Sequence, residues 1–121
     1  MIERDKYRSA DQMVIVEKYE RVIAYLYPII QRTPRKHGIA RDRFLYHLFA
    51  QLDLFYQGGK SGQVSKLYLA DANLAMLRAW LRFFDHNIKH ITPKQHRTAL
   101  SMIAEVGNLL GSWIKKSRAK G

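Results

Sequence analysis

At 121 residues the chain has room for one domain, and a hydrophobic share of 47% sets it apart from disordered tails. It contains no cysteine, which excludes disulfides, thiolate nucleophiles and thiolate metal sites together. Twenty-one Lys and Arg against ten Asp and Glu leave a formal net charge of +11, an excess that points to a polyanionic partner, nucleic acid first and an anionic membrane surface second.

No stretch approaches the roughly 18 apolar residues of a membrane span. The charged start, Met1-Ile2-Glu3-Arg4-Asp5-Lys6, lacks the apolar core of a signal peptide. The expected location is the cytoplasm, with no membrane partner. Breaker residues near 33–38, 58–62 and 87–93 then divide the chain into four segments, each long enough for several helical turns.

The first segment, about residues 9–32, opens with Ser9 and Gln12 at capping-box spacing. Ile15, Tyr19, Val22, Leu26 and Ile29 follow at alternating intervals of four and three, one helical stripe. Pro28 lacks the N–H its turn needs, which predicts a kink or a loosened last turn. The second segment, about 39–57, carries Leu45, Phe49, Leu52 and Tyr56 on one face, widened by Phe44, Leu48 and Phe55. Gly58-Gly59 is its expected end.

The third segment, about 64–88, has the most regular seam: Leu67, Ala70, Leu74, Leu77, Leu81, Phe84 and Ile88. The fourth, about 93–116, starts with Thr92-Pro93-Lys94-Gln95, a cap, a first-turn proline and a closing Gln. Leu100, Ile103, Gly107, Leu110 and Ile114 form its seam, and a basic tail follows. Four helices, short turns and no strand signal predict an all-α, antiparallel up-down four-helix bundle about 30 Å long.

Two helices carry more apolar surface than one core needs. Beside the seam of the third helix lie Leu69, Met76, Trp80 and Phe83, and beside that of the fourth lie Met102, Val106, Leu109 and Trp113. Aromatic and Met side chains are enriched at interface centres. Trp80, Phe83, Met76, Trp113 and Leu109 are therefore expected at a subunit interface; a wide core face is the competing reading.

The basic residues gather in clusters. Arg78 and Arg82 lie one turn apart on the third helix, on a side shared with Asp71 and Asp85, so a solvated face with pairs such as Arg82–Asp85 competes with a functional arginine pair. Arg35, Lys36, Arg41 and Arg43 crowd the first turn region, and Lys60 and Lys66 flank the glycine-rich turn. Lys89, Lys94 and Arg97 surround the third turn with His90 and His96, and Lys115, Lys116, Arg118 and Lys120 end the chain. None matches a sequence-reading module, so Arg78, Arg82, Arg35, Lys36, Arg41, Lys66 and Lys60 are read as phosphate or partner contacts.

Catalytic signatures are missing, and no catalytic residue, metal or cofactor is expected. Gly58-Gly59-Lys60-Ser61-Gly62 lacks the full phosphate-loop spacing and reads as a turn. His86 and His90, four apart, could share a metal, but stray histidines at a helix end are the simpler reading. One enzymatic alternative stands. Arg41 and His47 resemble the Arg–x(4–6)–His motif of HEPN-type ribonucleases, in which His handles the 2′-hydroxyl proton and Arg stabilises the phosphorane. A generic RNA-binding bundle is the other alternative.

Several stretches together resemble the accessory variability determinant (Avd) proteins of diversity-generating retroelements. They are Met13-Val14-Ile15-Val16-Glu17-Lys18-Tyr19-Glu20-Arg21-Val22-Ile23-Ala24-Tyr25-Leu26-Tyr27-Pro28, Pro34-Arg35-Lys36-His37-Gly38 and Gln63-Val64-Ser65-Lys66-Leu67-Tyr68. With them go Ala75-Met76-Leu77-Arg78-Ala79-Trp80-Leu81-Arg82-Phe83 and Ile103-Ala104-Glu105-Val106-Gly107-Asn108-Leu109-Leu110-Gly111-Ser112-Trp113-Ile114. The resemblance spans about residues 11–114. More distantly the chain is similar to the four-helix-bundle proteins encoded in 23S rRNA intervening sequences. The resemblance implies a bundle assembled as a positively charged, barrel-like homopentamer. It also implies binding to the element's reverse transcriptase and to template RNA or cDNA, in support of mutagenic reverse transcription. It implies no catalytic residue in this chain.

Overall fold

The computed structural model describes the backbone of residues 2–120 and the side chains of residues 11–119. Four long helices appear in order: α1 (Ile2–Gln31), α2 (Gly38–Ser61), α3 (Val64–Phe83) and α4 (Pro93–Lys120). A 3-10 turn (Arg35–His37) leads into α2, and a π turn (Phe84–Ile88) extends α3. The described residues contain no strand. α1 packs on α2 and α4, and α3 packs on the same two helices, giving a four-sided up-down bundle.

The apolar seams of α1 and α3 lie where their spacing predicts. Ile15, Tyr19, Val22 and Leu26 are buried on α1, with Ile30 rather than Ile29 completing the stripe. Leu67, Ala70, Leu74, Leu77, Leu81 and Phe84 are buried along α3 and its extension. Fully burying each large apolar side chain contributes about 1.5–3 kcal/mol, so these stripes dominate the packing energy.

α2 and α4 are rotated from the expected faces. On α2 the buried row is Phe44, Leu48, Gln51 and Phe55, while Phe49 and Tyr56 are exposed and Leu45 and Leu52 sit at the margin. The row contains a polar residue, so an apolar pattern alone passes over it. Gln51 tolerates burial because its Nε2 donates to Ala70 O (2.9 Å) and its Oε1 accepts from Asn73 Nδ2 (2.8 Å). On α4 the buried row is Ala99, Ile103, Val106, Leu110 and Trp113. Half of the second stripe expected at a subunit interface, Val106 and Trp113, is thus core, and Met102 and Leu109 pack partly buried against it.

The helix ends differ from expectation in instructive ways. α1 is already helical from Ile2, so Ser9 does not begin it, and Gln12 instead packs over Gly59. The helix continues through Pro28 to Gln31, as the extent of its segment predicts. Pro28 and Ala24 are both at least partly open to solvent, so water can serve the Ala24 carbonyl that a proline N–H cannot. Gly58 and Gly59 lie buried inside α2 rather than ending it. A Cβ on Gly58 would fall 2.5 Å from Leu67 Cδ2, and one on Gly59 would fall 1.6 Å from Gln12 Oε1. The pair lets helices approach closely. Gly62, at φ 68°, makes the actual left-handed cap and donates its N–H to Gly58 O at 3.2 Å.

The start of α4 is as its sequence predicts. Gln95 N–H donates to Thr92 Oγ1 (3.0 Å) and Thr92 N–H donates to Gln95 Oε1 (2.9 Å), a complete capping box. α3, expected to run to residue 88 unbroken, changes to π geometry at Phe84. Lys89 then turns left-handed at φ 57°, and His90 N–H closes on Phe84 O at 3.0 Å.

Candidate nucleic-acid interface

The connection from α1 to α2 is short and basic. Thr33, buried, anchors it by donating its N–H (3.0 Å) and Oγ1 (2.6 Å) to Ile30 O. The chain then runs through Pro34 into the 3-10 turn, which holds Arg35 and Lys36 exposed. No side chain caps the first turn of α2 at His37, so its backbone N–H groups add positive potential at this end.

These residues rim an open pocket of about 850 Å³ between the start of α2 and the end of α3. Arg35, Lys36 and Arg43 supply the cations, Asp42 the single carboxylate, and Ile39, Trp80, Phe83 and Ile88 the apolar surface. Trp80 lies near-parallel to Phe44 at 6.4 Å and edge-on to Phe83 at 5.9 Å. Its buried Nε1 has no hydrogen-bond partner among the described residues. Arg41 is not part of the lining; its Nε pairs with Asp42 Oδ1 at 3.0 Å.

Arg78 and Arg82 project from α3 without a carboxylate partner among the described residues. Arg78 Nη2 lies beside Gly107 of α4, where a Cβ would come within 3.2 Å; Arg82 is exposed. The alternative pairing of Arg82 with Asp85 is not formed, because Asp85 faces His96 at 2.8 Å and His86 at 3.8 Å. Lys60 and Lys66 belong to the other end of the bundle. Lys66 and Arg82 are separated by about 24 Å along α3 at the helical rise. The expected basic residues therefore form two regions, one around the pocket and the arginines and one around the α2–α3 turn.

Arg41 and His47 do not converge on a shared partner. His47 Nδ1 is 2.8 Å from Asn73 Oδ1, while Asn73 Nδ2 donates to His47 O (2.9 Å) and to Gln51 Oε1. With both amide donors spent, Asn73 presents an acceptor, so His47 Nδ1 carries the proton. This polar network between α2 and α3 has one trace in the sequence, a Gln and an Asn at seam-like spacings. His86 and His90 also part company: His90 Nε2 donates to Ile29 O (2.6 Å), and His86 lies beside Asp85 and His96.

On the outer face of α3, Leu69, Met76 and Phe83 are 53%, 43% and 42% exposed, one row at seven-residue spacing. Trp80 is half-buried beside them, and Trp113 is inside the bundle at 6% exposure. No described helix is long and apolar enough to cross a membrane.

The model of a family described as bAvd-like matches residues 13–117. No curated protein matches the chain.

Proposed function

The chain belongs to the bAvd-like family, and we propose that it is a non-enzymatic accessory scaffold of a diversity-generating retroelement. In this reading it binds the element's reverse transcriptase and its template RNA or cDNA during mutagenic reverse transcription, and the polymerase supplies the chemistry. One observation carries the reading: Arg78 and Arg82 stand one turn apart on α3 with no carboxylate partner among the described residues, in a chain of net charge +11. Two uncompensated guanidiniums at that spacing suit adjacent phosphates or a carboxylate-bearing protein face. Arg35 and Lys36 add cations at the same end, while Lys60 and Lys66 extend the basic surface to the far end.

The scaffold assembles, in the same reading, as a barrel-like homopentamer. The exposed row Leu69, Met76 and Phe83, with the edge of Trp80, favours such a surface.

RNA affinity measured by fluorescence anisotropy across a salt series tests the binding. The expected dependence is log-linear, and replacing Arg78 and Arg82 together with Ala flattens its slope by roughly 0.7–0.9 for each phosphate that the variant no longer neutralises. The unfolding temperature of the double variant stays nearly unchanged. Affinity indifferent to salt, or a variant that melts several degrees lower, would contradict this assignment of the arginines.

A further inference from the structure

Asp85, His86 and His96 meet where α3 hands over to α4. His96 Nδ1 lies 2.8 Å from Asp85 Oδ2, and His86 Nε2 lies 3.8 Å from the same oxygen. The three donor atoms fall within 4.8 Å of one another. We propose that this cluster is a zinc site, with two imidazoles and one carboxylate as protein ligands and the fourth position left to water.

The local backbone builds the cluster. The π turn carries Asp85 and His86 at its second and third positions, and the Thr92–Gln95 capping box fixes the start of α4 just before His96. π turns insert one residue into a helical turn and occur often at functional sites. Asp85 and His96 have side chains only 12% and 13% exposed and already hold each other, so two ligands are preorganised. His86 is 61% exposed and free to rotate in. Donors bound to zinc at about 2.0–2.2 Å stand roughly 3.3 Å apart in a tetrahedron, so closure needs only side-chain rotation.

The donor set selects the metal class. Two imidazole nitrogens favour a borderline ion such as zinc over magnesium or calcium, which take oxygen ligands. A depression of about 420 Å³, lined by Asp85, Lys89, His90, Ile91, Thr92 and Pro93, gives solvent a path to the carboxylate. Without metal, His96 Nδ1–H donates to Asp85. Coordination through Nδ1 requires that proton to leave, to Nε2 through solvent for a neutral ring or to buffer for an imidazolium. Lys89, which lines the same depression as Asp85, opposes the cation, and three protein ligands rather than four set an affinity below that of closed sites.

Calorimetric titration of zinc chloride into the chelator-treated, full-length protein, paired with thermal melts, tests the site. The expected result is one zinc per chain and a melting temperature that rises with zinc concentration. His86→Ala should weaken binding by more than about 100-fold, the upper end of what losing only a supporting hydrogen bond costs. Its metal-free melting temperature should match the parent, because His86 is exposed. His96→Ala should also lose zinc, but with a lower metal-free melting temperature. Absence of stoichiometric uptake, or uptake unchanged in His86→Ala, would overturn the proposal.

Discussion

Asn73 partners two side-chain groups of α2 that would otherwise be left unpaired, His47 Nδ1 and Gln51 Oε1, and adds a bond to the His47 carbonyl, which the helix already engages. Unpaired polar groups in a buried setting cost about 1–3 kcal/mol each. Asn73→Ala should therefore lose about 2–3 kcal/mol, roughly a 10 °C fall in melting temperature for a chain of this size. His47→Ala, which frees only one of these bonds, should fall less and should show the same absence of RNA cleavage as the parent. Metal-independent cleavage by the parent that disappears in His47→Ala would instead favour the nuclease alternative. At the surface, the Lys18 ammonium bonds to Glu105 at 2.7 Å and holds its carboxyl below the ordinary carboxylate range. The sign follows from linkage: the pairing contributes above the unfolded-state pKa and is lost as pH falls through the lower folded value. Lys18→Ala should return Glu105 to the ordinary range in a side-chain NMR titration.

At the scale of the helix, legibility depends on how many stripes the sequence offers. The seam of α3 is legible from spacing alone. α2 and α4 each present two adjacent apolar stripes, and periodicity does not choose between them. The choice falls to partners distant in sequence: Gln51 finds Ala70 and Asn73, and Trp113 reaches within 3.8 Å of a Cβ placed on Gly58. The same blindness makes Gly58-Gly59 look like a terminus. The Asp85–His96 pair is hidden because it spans a π turn and a loop, whereas the Thr92–Gln95 box is readable because its bonds are local. Two glycine substitutions separate packing from propensity. Gly58→Ala should destabilise by up to about 2 kcal/mol, since overpacking of about 1–3 kcal/mol against buried Leu67 exceeds the helical preference for Ala of about 1 kcal/mol. Gly111→Ala, with nothing within 4 Å of the added Cβ, should stabilise by about 0.5–1 kcal/mol. Thermal melts of the two variants should move in opposite directions.

For the whole molecule, the long axis of the bundle is the fact that composition does not contain. Charge counting gives a net charge of +11, but only the fold separates Lys60 and Lys66 from Arg35, Lys36 and Arg82. It also brings Trp80 and Phe83 into one pocket with Arg35, Lys36 and Arg43. That pocket draws on residues far apart along the chain, from Arg35 to Ile88, which no local motif reveals. The fold likewise leaves the apolar row of α3 exposed while Trp113 of α4 is drawn into the core. A positively charged scaffold of several copies would present its basic regions repeatedly to one nucleic acid, so modest affinity per copy would add up through multivalency. The scaffold role stands or falls on purifying this chain together with the element's reverse transcriptase and template RNA, then reading the complex by native mass and RNA content. The expected product is one assembly with about five copies of this chain per polymerase, by the homopentamer reading, and with RNA retained at physiological salt. A chain that elutes alone, carrying neither polymerase nor RNA, would contradict that role.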